Sequence, residues 1–299
     1  MARPAWAVGV ARFWNKNKWG YFFVLPALVF FIVFFFVPIV WAFLLSFQDA
    51  TPFGGRWVGL ANYRSLLKDE VFRVAVRNTT LYTSIVVAQN IFVSLAVASL
   101  IQSLSARLRT FFRAAFYLPA VTSAVMIALV WRWIFNSEWG FLNFLLGIVH
   151  LAPVRWLSDP DVALWSIILS SLLTVPATGV VMYSAALGSI PVSYYEAASL
   201  DGAGTLAKWW YITVPLIKPT TLYLLVVYTI WAFQVFEKVY VMTGGGPGWA
   251  TTTIVQLIYN TGFRDWKFGM AAAQGMILFA VIALVAVIQF RYLNTDVEY

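Results

Sequence analysis

Charged residues divide this chain into apolar runs long enough to cross a lipid bilayer. Stretches free of Asp, Glu, Lys, Arg and His cover residues 19–48, 78–106, 114–131, 162–195, 219–236 and 268–290. A helix needs roughly 17–25 residues to span the hydrocarbon core. The runs therefore predict six transmembrane helices, at about 19–48, 74–106, 110–136, 162–187, 214–243 and 267–293. The fold class is all-α and polytopic. A membrane domain over 19–293 is flanked by tails 1–18 and 294–299, both on one side. The fourth run is too long for one span, so its end must leave the membrane before Glu196.

Proline and glycine punctuate these helices at Pro26, Pro38, Pro119, Pro176 and Gly179. In a helix bundle, neighbouring side chains can satisfy the carbonyls that proline frees. Pro176 and Gly179 together mark a candidate kink in the fourth helix, although on spacing alone ordinary membrane-helix irregularity is the better account. Arg12, Lys16 and Lys18 precede the first run and superficially suggest a signal peptide. The run is far longer than an h-region of roughly 7–15 residues, so it reads as an uncleaved first helix. Between the first and second spans, Leu60, Tyr63, Leu66 and Leu67 fit one helical face, as in an amphipathic helix on the membrane surface.

Composition agrees. Hydrophobic residues make up 62% of the 299 positions and charged residues 11%, with mean hydropathy +0.80. Soluble domains carry about 25% charged residues, so this is an integral membrane protein. With no cysteine and one histidine, His150, thiolate chemistry and histidine metal clusters are excluded. The net charge of +8 comes from residues scattered at the edges of apolar runs. That pattern suits anchoring to anionic lipid and not nucleic acid. Lys and Arg divide ten to ten between the two sides. The first tail and the short Arg107–Arg113 connection favour termini inside, since charges near the first helix usually dominate.

Catalytic constellations are absent. No Gly-Lys-Ser/Thr phosphate loop occurs, and Gly244-Gly-Gly-Pro-Gly248 reads as a flexible external turn. Asp159 and Asp161 flank a proline at a helix start, where capping explains them. More than twenty residues separate the fourth and fifth spans, including Glu196-Ala-Ala-Ser-Leu-Asp-Gly-Ala-Gly204. Ser193-x-x-Glu196 has the spacing of a capping box, which predicts a helix from about Tyr194. Asp201-Gly202 and Gly204 would interrupt it, Lys208-Trp-Trp-Tyr211 would restart it, and Pro215 and Pro219 would bound the next descent. On spacing alone, Glu196 either only caps this helix or contacts a partner.

Glu-Ala-Ala-x-x-x-Gly over 196–202, with Ile212-x-Val-Pro215 downstream, resembles the cytoplasmic signature loop of ABC importer permeases. Gly59-Leu-Ala-Asn-Tyr63, Arg77-Asn-Thr79, Arg113-Ala-Ala-Phe-Tyr-Leu-Pro119 and Thr243-Gly-Gly-Gly-Pro247 extend the likeness to carbohydrate-uptake permeases of the maltose and glycerol-3-phosphate type. The glycine-rich loop resembles the first of the two permeases in such systems, in its compact six-helix form. The maltose protein's extra N-terminal helices and large external domain have no counterpart here.

The resemblance implies an ABC importer in a prokaryotic inner membrane, with both termini cytoplasmic. It implies a second permease subunit, two copies of an ATPase subunit that bind ATP and Mg, and an extracytoplasmic sugar-binding protein. This chain itself would hold no cofactor and perform no hydrolysis. Residues 190–208 would form a coupling segment in which Glu196, Ala197, Ala198, Asp201 and Gly202 meet the ATPase.

A sugar path through lipid needs inward polar groups and aromatic faces. Ser171, Thr174 and Thr178 share a face of the fourth helix; Trp231, Gln234 and Glu237 with Lys238 share one of the fifth. By resemblance these positions line the cavity. The serine and threonine hydroxyls could instead bond their own backbone. An ion-coupled secondary transporter is the alternative, but all twelve acids lie near span ends or in loops.

Overall fold

The structure, a computed structural model, describes residues 19–118 and 122–293. The two tails and Pro119 lie outside the described residues. The first helix, α1, covers Trp19–Ser46 with a wide π turn at Ile32–Phe36. Pro38 follows that turn, where the N–H that proline lacks would otherwise close an ordinary helical bond. Two short strands, β1 (Gln48–Thr51) and β2 (Gly54–Trp57), pair antiparallel with Thr51 opposite Gly54. This hairpin was not foreseen. Then come α2 (Ala61–Lys68), α3 (Glu70–Gln102), α4 (Ala106–Tyr117), α5 (Ala124–Ile134) and α6 (Phe141–Ile148). The third predicted span is thus two helices, α4 and α5.

The fourth span is also two helices, α7 (Pro160–Leu172) and α8 (Ala177–Ser189). The surface segment is α9 (Val192–Leu200), followed by α10 (Thr205–Lys208) and a π turn at Trp209–Thr213. The fifth span is α11 (Lys218–Phe233) and α12 (Glu237–Met242). A short helix α13 (Ile254–Tyr259) leads to the last span, α14 (Phe268–Leu293). Among the described residues, five stretches are long and apolar enough to span a membrane, and α5 is a shorter apolar helix. The long helices α3, α8 and α11 pack together, and α14 packs on α11 and the end of α1.

Two apolar clusters hold the bundle. One joins Tyr82, Val86 and Val87 of α3 to Ile167 and Ile168 of α7, Tyr183 and Leu187 of α8, and Leu224 and Tyr228 of α11. The other gathers Leu66, Phe72, Ala75, Phe233, Ile254, Leu257, Ala273 and Leu278. Leu66 therefore faces protein, while Leu60 and Leu67 are exposed. The face that α2 buries is Asn62 and Leu66, with Tyr63 beside them, and not the predicted one. Asn62 explains the shift, since its amide donates to the carbonyls of Ser46 and Gln48, both at 2.9 Å, and pins α2 to the hairpin. No residue in the most apolar stretch of α1, by contrast, is buried within the chain.

The Gly244–Gly248 turn is stitched in place, contrary to the expected flexible turn. Thr251 Oγ1 donates to the Gly246 carbonyl at 2.8 Å and Thr252 Oγ1 to that of Gly245 at 2.9 Å. Thr251, Thr252 and Thr253 are fully buried. Asp159 caps α7 as expected, accepting from the Asp161 N–H at 2.9 Å.

Candidate functional site

Both broken spans open onto one cavity of about 360 Å³. In the fourth span, Pro176 cannot donate to the ladder and pushes Val175 out of helical geometry. The helix stops at Leu172 and restarts at Ala177. Gln89 of α3 donates to the freed Leu172 carbonyl at 3.3 Å. In the fifth span the helix stops at Phe233 and restarts at Glu237, and Thr253 Oγ1 takes the Val235 carbonyl at 3.0 Å. Irregular backbone at membrane depth is tolerated where it lines a cavity.

The breaks correct the single-face arguments for both spans, yet the same residues converge. Ser171, Thr174, Thr178, Trp231, Gln234 and Glu237 all line the cavity. Thr174 also bonds its own backbone, donating to the Ser170 carbonyl at 2.8 Å. Trp231 is 54% exposed and meets Tyr228 edge-on at 6.0 Å. Ser171 Oγ lies 3.0 Å from the Tyr82 hydroxyl and accepts from Lys238 Nζ at 2.8 Å. A polar chain thus crosses from α3 through α7 to α12.

Tyr82, Asn90 and Tyr228 also line the cavity, and the sequence reading passed over them. Asn90, like Gln234, is a polar side chain within an uncharged run, a signal that could have found it. A second, more polar hollow of about 630 Å³ flanks the far half of α12, beside Arg132, Glu138 and Tyr240. It contains none of the expected residues.

At the surface segment, α9 begins at Val192 and no side chain caps it. The predicted Ser193–Glu196 capping box is not formed. Pro191 holds Ile190 extended and starts the helix two residues early, so Ser193 falls inside its first turn. The interruption at glycine does form. Gly202 takes φ +79°, its N–H reaches the Ser199 carbonyl at 3.1 Å, and the Ala203 N–H reaches that of Ala198 at 2.9 Å. Those two bonds are the Schellman closure, which places glycine at the left-handed position.

Lys208 Nζ to Ser199 Oγ at 2.6 Å and the Tyr195 hydroxyl to Thr213 Oγ1 at 2.8 Å tie the two arms of the bend together. Glu196, Ala197, Asp201 and Gly202 are exposed and Ala198 is half-buried. Neither carboxylate makes an ion pair with another described residue. Leu200 and Leu206, 90% and 70% exposed, flank the bend.

Residues 90–299 match the family described as the binding-protein-dependent transport system inner membrane component. The chain belongs to that family. It is a multi-pass inner-membrane permease of an ABC-type transport system, a transport component and not an enzyme. A probable ABC transporter permease protein of Bacillus subtilis, YurN, is 34% identical over 95% of this chain and 99% of its own length. The arabinooligosaccharides transport system permease protein AraP of the same organism is 32% identical, over 93% and 90%. The sn-glycerol-3-phosphate transport system permease protein UgpA of Agrobacterium fabrum is 32% identical, over 93% and 96%. Among solved structures, a bacterial alginate ABC transporter in complex with an alginate pentasaccharide-bound periplasmic protein contains a chain of the same fold. It superposes with TM-score 0.83 at 23% identity, covering 94% of this chain and 95% of that one.

Proposed function

We propose that this permease carries a carbohydrate or a related polyol or glycerol phosphate from an external binding protein into the cytoplasm. The observation that carries the reading is the convergence of Ser171, Thr174, Thr178, Trp231, Gln234 and Glu237 on one cavity at two helix breaks. Hydroxyls, an amide and an indole face suit a ligand that needs a hydrogen-bond partner for each group leaving water. Curated relatives named for arabinooligosaccharides and sn-glycerol-3-phosphate support the substrate class. An ion-coupled mechanism gains no support.

The bend at Glu196–Gly202 is the handle for an ATPase subunit, one of two in the complex that bind ATP and Mg. It carries exposed carboxylates and unpartnered leucines on a pinned frame, as a docking element needs. On this reading the bend, both termini and the ends of α3 and α8 nearest it face the cytoplasm. A second permease subunit completes the path, and the largely uncovered α1 offers it a surface. Purified with its partners, the complex should show binding-protein-dependent ATPase stimulation by at least one member of a sugar panel. Stimulation by none, with ATPase and binding protein both active, would reject the carbohydrate reading.

A further inference from the structure

Lys238 is placed against the usual rules for a lysine. It stands in the first turn of α12, the end of a helix where cations are least favoured. It is half-buried, and its one side-chain hydrogen bond among the described residues goes to the neutral Ser171 hydroxyl at 2.8 Å. No carboxylate lies within ion-pair distance, since the ion pair found among the described residues is Arg56–Asp49. Its neighbour Glu237 also lines the cavity, but a carboxylate at a helix start needs no further reason to be there.

An ammonium has three hydrogens to donate. Ser171 takes one, and Ser171 is itself held by the Tyr82 hydroxyl and the Ile167 carbonyl. The lysine side chain is therefore fixed on the cavity wall with donors to spare. Charge-assisted bonds from an ammonium to a carboxylate or phosphate are roughly twice as strong as bonds between neutral groups.

We propose that Lys238 selects an anionic group on the transported molecule, a carboxylate or a phosphate, and that Tyr82 and Ser171 position it for that contact. The inference rests on the carbohydrate reading above and narrows it.

The test uses the complete complex in proteoliposomes, with uptake of three probes measured side by side: a neutral oligosaccharide, its uronate counterpart and a sugar phosphate. Wild-type protein should favour one anionic probe over the neutral one. Lys238→Gln should cut the ratio of anionic to neutral uptake at least tenfold, and Lys238→Arg should restore most of it. The probe whose ratio responds identifies carboxylate or phosphate as the group bound. An unchanged ratio in Lys238→Gln overturns the inference, as does a wild-type ratio of one or below, which needs no variant to fold. Either result leaves the carbohydrate reading standing. Uptake of no probe by the wild-type complex would remove both.

Discussion

Asn78 reaches across 174 positions of sequence to Thr252, donating its amide to that residue's carbonyl at 3.0 Å. The same amide nitrogen also faces the carbonyls of Ala250 at 3.0 Å and Trp249 at 3.4 Å. Next to it, Thr79 Oγ1 accepts from the Ile254 N–H at 2.9 Å. Asn78 and Thr79 are thus joined to residues 249–254, far away in sequence, in one joint between α3 and the loop before α13. Asn78→Ala should destabilise the protein by about 1–3 kcal/mol, because it leaves buried carbonyls without a donor. Thermal unfolding of the purified complex checks this, and an unchanged melting temperature would count against the joint.

Gly179 of α8 lies against Ser94 of α3 and Tyr228 of α11. A Cβ there would overlap Ser94 and the Tyr228 hydroxyl. Gly179→Ala should cost about 1–3 kcal/mol through overpacking. Adding Ser94→Gly should recover part of the loss, and a cycle of melting temperatures over the two substitutions measures the coupling.

How much of this was legible beforehand depended on the range of the forces involved. The long apolar helices could be read from uncharged runs because bilayer thickness sets their length. The break at Pro176 was readable because proline acts locally. The break at Gln234–Phe236 was not, since no proline or glycine stands there; a threonine nineteen residues after Gln234 supplies the replacement donor. Ser193 misled because its spacing suited a cap while Pro191 had already begun the helix. The hairpin at Gln48–Trp57 lacks alternating apolar residues and is held by Asn62, so nothing within its own ten residues announced it. Gathering residues by helical face found six that line the cavity, by an argument that the broken helices do not obey, and it missed Tyr82, Asn90 and Tyr228.

Gly202→Arg and Glu196→Arg should leave the complex assembled while sharply reducing substrate-stimulated ATPase activity. At φ +79° a side chain at position 202 is strained by roughly 1–3 kcal/mol, a modest cost at an exposed bend. Full stimulation in an assembled double variant would show that the bend does not couple to the ATPase.

The sequence has no native cysteine, so Ser199→Cys would introduce a single thiol on α9. A bifunctional reagent should join it to the ATPase subunit, with a yield that changes between ATP-bound and nucleotide-free states. Absence of the product in every state would argue that another surface makes the contact.

Trp231→Ala and Gln234→Ala should lower uptake about tenfold or more, the scale of losing one or two contacts of about 1–1.5 kcal/mol each. Both side chains are exposed to the cavity, so melting temperature should move little. A large loss of stability would instead make them structural.

The paired interruptions have a mechanical consequence. Residues 173–176 and 234–236 divide two adjacent spans at a shared cavity, so each span is a pair of stiff rods joined by a short hinge. The rod from Ala177 to Ser189 is about 20 Å long, and it ends next to the Glu196 bend. If the bend is the coupling element proposed above, a pull on it would act along that rod toward Pro176 without needing to break a hydrogen bond inside either half. The cavity would then sit at the fulcrum.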